Sequence, residues 1–243
     1  MSSENLFFKR YVRLEFDFKE KPAMLIGKAA HETIEKIYRD IINETIMTGE
    51  QYETYAQGVM TRMLTEAREK AQKNLGIKEI DPEQESSIRD QIEKEAIEWG
   101  KTVDEEKARE QLGYAVRNYL ANLDGTTTVS TEIMETVEFT DLEGQGMPVP
   151  LKGIIDRIER DPALGEGLRD YKIVAKFSDL NERNAGYEIQ AAAFYFIYQG
   201  LKGKPPEYAV FEEVLKKEAG YILPSDPSNK LYQADLRKLC EDY

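Results

Sequence analysis

Two aspartates and a lysine in LKGIIDRIERDPALGEGLRDYKIV, residues 151–174, have the types and spacing that chemistry needs. Asp170 and Lys172 stand two positions apart in a run of period two, so in a strand both project from one face. Asp156 lies upstream in a second such run, and the turn DPALGEG can fold the two runs together. Asp156 is expected to share a face with Ile154 and Ile158, pointing at an apolar layer or its rim. Two carboxylates at a buried edge repel, and one stays protonated unless a cation lies between them. A divalent ion with oxygen ligands removes that repulsion. Lys172 beside it could orient a water or meet charge on a phosphate. An acidic residue two before a lysine is common, and Asp17-Phe18-Lys19 and Glu105-Glu106-Lys107 repeat it. What distinguishes 170–172 is the strand-borne aspartate upstream.

His31 is the only histidine. In IGKAAHETIEKIY it shares a helical direction with Tyr38 and Ile42, at one edge of an apolar stripe. A histidine so placed is ordinarily a satisfied core residue, but neutral imidazole is also a common metal ligand. Glu35, one turn on, could orient the ring or stand behind the ligands.

The elements that must position these residues follow from periodicity. Ala30, Ile34, Ile37, Tyr38, Ile41 and Ile42 predict a helix from Gly27 to about Thr48. Further helical patterns cover roughly 51–74 and 83–123, with breaks at Asn74–Gly76 and Asp81-Pro82. After the turn signal NLDGTTTVS the period becomes two, and STEIMETVEFT, MPVPLKGIIDRIERD and LRDYKIV read as strands. NAGYEIQAAAFYFIYQGL reads as a helix, EYAVFEEVLKK as a strand, and the tail SNKLYQADLRKLCEDY as a partial helix. Strands grouped between helices indicate an α/β layer structure forming a single domain over 1–243, with a helical insertion at about 50–125. That insertion could shape access to a site, restricting entry to single-stranded ends, but reads first as a supporting bundle around Trp99.

The 243 residues suffice for one sizeable core, and no run approaches the ~20 apolar residues of a membrane span. No membrane association is therefore expected. MSSENLFFKRYVRLEF lacks the small-residue cleavage pattern of a signal peptide, and the single cysteine, Cys240, fits a reducing cytoplasmic setting. One cysteine also excludes a disulfide framework or a four-cysteine cluster within the chain. A formal net charge of -13 argues against coating nucleic acid by bulk attraction. The segments FFKRYVR and KIVAKFSDLNER are locally basic, however. Lys9, Arg10, Arg13, Lys176 and Arg183 could contact phosphates there, and Phe7, Phe8 or Tyr11 could stack on bases or belong to the core.

Taken in order, GKAAHETIE, GIIDRIE, DYK and IQAAAFY resemble the RecB-like branch of the PD-(D/E)XK nuclease superfamily. Its pattern is a small-xxx-His helix, Gly-x-x-Asp-Arg-Ile, Asp-x-Lys, and a helix with a Gln and an aromatic. The resemblance implies a restriction-endonuclease-like core, a central mixed β-sheet flanked by helices. It implies that His31, Asp156 and Asp170, with the backbone carbonyl of Tyr171, hold one or two Mg2+ or Mn2+ ions. Lys172 would position the attacking water, Gln190 would lie near the metal or the substrate backbone, and Tyr195 or Phe194 would lie beside it. The implied activity is hydrolysis of DNA phosphodiesters, commonly from ends. A selective endonuclease and a catalytically idle DNA- or protein-binding member are the alternatives. Protein partners from DNA repair, recombination or phage systems stay open. Departures are Ile173, where relatives often have Thr or Ser, and the lack of cysteines for the iron–sulfur cluster many carry.

Overall fold

A computed structural model describes residues 19–78, 80, 82, 84–123, 127–137, 151–178, 185–218 and 231–234. The described elements are α1 (Pro22–Ile42), α2 (Gly49–Asn74), α3 (Glu85–Ala96), α4 (Glu105–Leu120), β1 (Thr127–Val137), β2 (Leu151–Asp161), β3 (Gly165–Val174), α5 (Ala185–Lys202), β4 (Ala209–Leu215) and β5 (Leu231–Ala234). The chain divides into two compact units, Met1–Leu25 with Thr61–Ala108, and Ile26–Met60 with Arg109–Tyr243. Among the described residues no helix is long and apolar enough to cross a membrane.

The larger unit holds a five-stranded mixed sheet in the order β1-β2-β3-β4-β5. Neighbours are antiparallel except β3 and β4, which run parallel and are joined through α5. A parallel pair needs such a crossover, because a tight turn can only reverse the chain. α5 covers one face. Ile155, Ile158, Leu168, Ala209 and Phe211 from the strands pack with Ala191, Phe194, Ile197 and Tyr198 from the helix. The approach is close: a Cβ on Gly153 would lie 2.5 Å from the Ile197 side chain.

Buried polar groups line the other face, where α1 and α4 contribute Tyr38 and Tyr119. Arg169 donates to both carboxylate oxygens of Glu159 at 2.7 and 2.9 Å and to Glu212 at 2.7 Å. Arg157, fully buried, lies 3.2 Å from Glu159 and donates to the Tyr38 hydroxyl. Buried charges persist only when paired and hydrogen-bonded, and here they are.

Several expectations need correction. The first helix begins and ends earlier than Gly27–Thr48. It closes with Glu44 in the left-handed region (φ 57°), while Thr45 N–H donates to the Asp40 carbonyl and Glu44 N–H to that of Ile41. That is a Schellman stop, normally signalled by glycine. The helical pattern over 83–123 is divided into two helices, because Ile97 turns extended and pairs with Glu20 in an isolated parallel bridge. Asp104 then caps α4 by accepting from Lys107 N–H. In the tail, Leu231–Ala234 is a strand against β4 rather than helix.

Candidate active site

The site forms where β2 and β3 part. Their ladder runs from Asp161↔Gly165 to Arg157↔Arg169. One step further, the side chain of Asp156 accepts the Tyr171 backbone N–H through Oδ2 at 3.0 Å, where a strand carbonyl would otherwise serve. Ile155 and Ile158, an odd and an even residue, both join the apolar cluster under α5, so strict alternation slips between them. The expectation that Asp156 shares a face with Ile154 and Ile158 is thereby corrected: Ile154 is 44% exposed and Ile158 fully buried. The slip turns Asp156 toward α1.

On α1, the His31 ring presents Nδ1 to Asp156 Oδ2 at 3.2 Å. On β3, Asp170 forms an ion pair with Lys172, its neighbour on the same face. From α5, Gln190 joins them, donating to Asp170 Oδ1 at 2.7 Å and accepting from Lys172 Nζ at 2.8 Å. The residues therefore come as two groups, His31 with Asp156, and Asp170 with Lys172 and Gln190.

The groups interact electrically. Burial, then repulsion from Asp156, pushes the Asp170 carboxyl up to about 6 against the attraction of Lys172. Burial opposes charge on His31, but the hydrogen bond and charge of Asp156, with the charge of Asp170, hold its pKa above the ordinary value. The site thus retains protons that ordinary Asp and His side chains would release, as expected where negative charge is under-compensated.

The chemistry of this donor set fits a divalent cation. Carboxylate and carbonyl oxygens suit magnesium and manganese, and an imidazole beside them favours manganese of the two. Two donors each ~2.1 Å from an octahedral ion and at right angles are about 3 Å apart, close to the 3.2 Å between His31 and Asp156. Asp170 Oδ2 is buried with no hydrogen-bond donor in line, only the ion pair with Lys172. Among the described residues no three His, Cys, Asp or Glu side chains are drawn into a ready-made cage. Beside His31 and Asp156 is a small recess lined by Ile34, Glu35, Tyr38, Thr131 and Tyr171.

The other expected residues are distributed as follows. Glu35 lines the recess and forms an ion pair with Arg39. Tyr195 lies on the flank of the apolar cluster with its ring against Phe196, and Phe194 is inside the cluster. Lys176 is exposed, two residues beyond β3. Lys9, Arg10, Arg13 and Arg183 lie outside the described residues.

Sequence reasoning missed Tyr187 and Glu213. The Lys172 ammonium lies 5.9 Å from the Tyr187 ring centre and 5.6 Å from that of Phe211, and these two rings are stacked. The Tyr187 hydroxyl donates to Glu213, which also accepts the Ser178 N–H. Two signals were available: Tyr187 stands one helical turn before Gln190, and the Glu212-Glu213 pair interrupts an apolar strand.

No curated protein matches the chain. A family model for the PD-(D/E)XK nuclease superfamily matches residues 5–240, nearly the whole sequence. With that match spanning every described strand and helix, the chain belongs to the PD-(D/E)XK nuclease superfamily.

Proposed function

We propose that this protein is a divalent-metal-dependent deoxyribonuclease that hydrolyses phosphodiester bonds from DNA ends, as a RecB-like exonuclease without an iron–sulfur cluster, acting in the cytoplasm as one nuclease domain with a helical insertion. The observation that carries the reading is a pair of neighbouring contacts at the fork of β2 and β3, His31 on Asp156 and Lys172 on Asp170, with Asp156 accepting the Tyr171 N–H. His31, Asp156, Asp170 and the Tyr171 carbonyl would hold the ion, with Glu35 behind His31 and Tyr195 behind Gln190. A bound divalent ion supplies acidification of a water and neutralisation of phosphate charge.

The chain's own groups do the rest. Asp156, held by the Tyr171 N–H, and Asp170, held by Gln190, would offer carboxylate oxygens to the ion. Lys172 is tethered by Gln190 and Asp170 and set over two aromatic rings. From there it orients the attacking water and meets charge developing on the phosphate. Lys9, Arg10, Arg13, Lys176 and Arg183 would follow the DNA backbone, supplying locally what a chain of net charge -13 lacks overall.

The test is end-labelled linear DNA with Mn2+, product lengths being read over time. Progressive release of short products is expected, with Asp170→Ala slower by about 10³-fold or more. Parental activity in Asp170→Ala would remove the nuclease reading of this site, and no cutting by the parent would leave an idle binding member. Cutting of closed-circular DNA as fast as linear would replace the exonuclease with an endonuclease. In the same assay, Lys9, Arg10 and Arg13 changed together to Ala should weaken binding and flatten its salt dependence.

A further inference from the structure

α1 meets β2 at two places. His31 lies against Asp156, and two turns later the Tyr38 hydroxyl accepts a hydrogen bond from Arg157 Nη1 at 2.6 Å. Asp156 and Arg157 are consecutive, so one strand step fixes both points. The Arg157 guanidinium also lies 3.9 Å from the Tyr38 ring centre. Tyr119 of α4 donates to the Tyr38 hydroxyl, and its oxygen is 3.2 Å from that of Tyr171. Tyr171 returns the path to the site, its N–H on Asp156 and its ring edge-on to both Tyr119 and His31. The contacts form a closed circuit through α1, α4, β2 and β3.

We infer that Tyr38 is a positioning residue, whose hydroxyl, held by Arg157 and Tyr119, sets the rotation and height of α1 so that His31 meets Asp156. Apolar surfaces tolerate sliding, whereas buried hydroxyls and a buried guanidinium are satisfied at one setting only. Tyr38, Tyr119, Tyr171 and Arg157 are all buried, so loss of one partner costs a hydrogen bond inside the fold. A phenyl ring at 38 would fill the same space. The hydroxyl is therefore explained by alignment rather than by volume. Tyr38 itself lines the recess that His31 and Asp156 share. The inference rests on the proposed role of those two as ligands.

Tyr38→Phe tests it, because it keeps the ring and removes the acceptor. The expected result is Mn2+ affinity about tenfold weaker, the usual scale for loss of a group that orients a ligand, with kcat reduced and KM for DNA unchanged. His31 is the only histidine, so its ring signals in a nuclear magnetic resonance spectrum need no assignment. They should be a single sharp set in the metal-free parent and broadened or doubled in Tyr38→Phe. Ile197→Val, in the apolar cluster, is the control: it should lower the melting temperature without altering Mn2+ affinity or the imidazole signals. Tyr38→Phe with parental Mn2+ affinity and a single sharp imidazole set would overturn the inference. Should Tyr38→Phe not fold, Tyr119→Phe removes the next donor and carries the same expectation. Should the parent neither bind Mn2+ nor cut DNA, the nuclease reading falls. The imidazole signals of the metal-free proteins then decide the alignment alone, doubling supporting it and a single set overturning it.

Discussion

Asp170 is only 5% exposed, and its charge is unwelcome without a cation. Burial and Asp156 raise its pKa from 3.8 to about 6. The sign follows: a carboxyl with a raised folded pKa stabilises the fold below 3.8 and loses that contribution as pH climbs through about 6. The loss is of the order of 2–3 kcal/mol by the unit conversion of pKa to free energy. His31, also raised, adds to the same trend. In a chelator at pH 8, Asp170→Asn should therefore melt above the parent, the gap closing toward pH 4. Scanning calorimetry across that range checks this, and a variant that melts below the parent at pH 8 would contradict the electrostatics. Asp156, Asp170, Lys172 and His31 stand out in the sequence as candidates because each sits in a short pattern of its own. Tyr38, Tyr119 and Arg157 do not stand out as a network, since a tyrosine whose hydroxyl is hydrogen-bonded and one that only packs look alike in sequence. Their hydroxyls acquire meaning only when α1, α4 and β2 are brought together.

Among the elements, the hairpin of β2 and β3 is the least forgiving. Gly165 takes a left-handed φ of 95° at the turn, and Gly167 faces Tyr208. A Cβ at 167 would lie 2.5 Å from the ring of Tyr208, whose hydroxyl is tied to Glu159. The ring cannot retreat without breaking that bond, so Gly167→Ala should cost about 1–3 kcal/mol. Urea unfolding measures it, and an unchanged midpoint would mean the ring yields freely. Strand periodicity made β1, β2, β3 and β4 readable. Helical periodicity failed where a distant partner decided the outcome. KLYQADLRKL has spacing that a helix would accept, yet Leu231–Ala234 pairs with β4. Likewise Ile97 leaves its helix because Glu20 offers a backbone partner. Non-local pairing of this kind has no signature within the segment that obeys it.

At the scale of the molecule, the expectation of a helical insertion near 50–125 compares with a unit that takes Thr61–Ala108 together with the first residues of the chain. Within it, Arg68 bridges Glu93 and Glu105, and the indole of Trp99 donates to Glu93 at 2.6 Å. Every residue of the candidate site belongs to the other unit. The sole tryptophan thus falls in a stretch, 61–108, that has no tyrosine, while thirteen of the fourteen tyrosines (all but Tyr11) belong to the larger unit. The two units thus carry different chromophores. Fluorescence from the indole and near-ultraviolet dichroism from the phenols should follow separate thermal transitions, and added Mn2+ should move the phenol curve further. Curves that superimpose at every Mn2+ concentration would mean that both halves melt as one cooperative body.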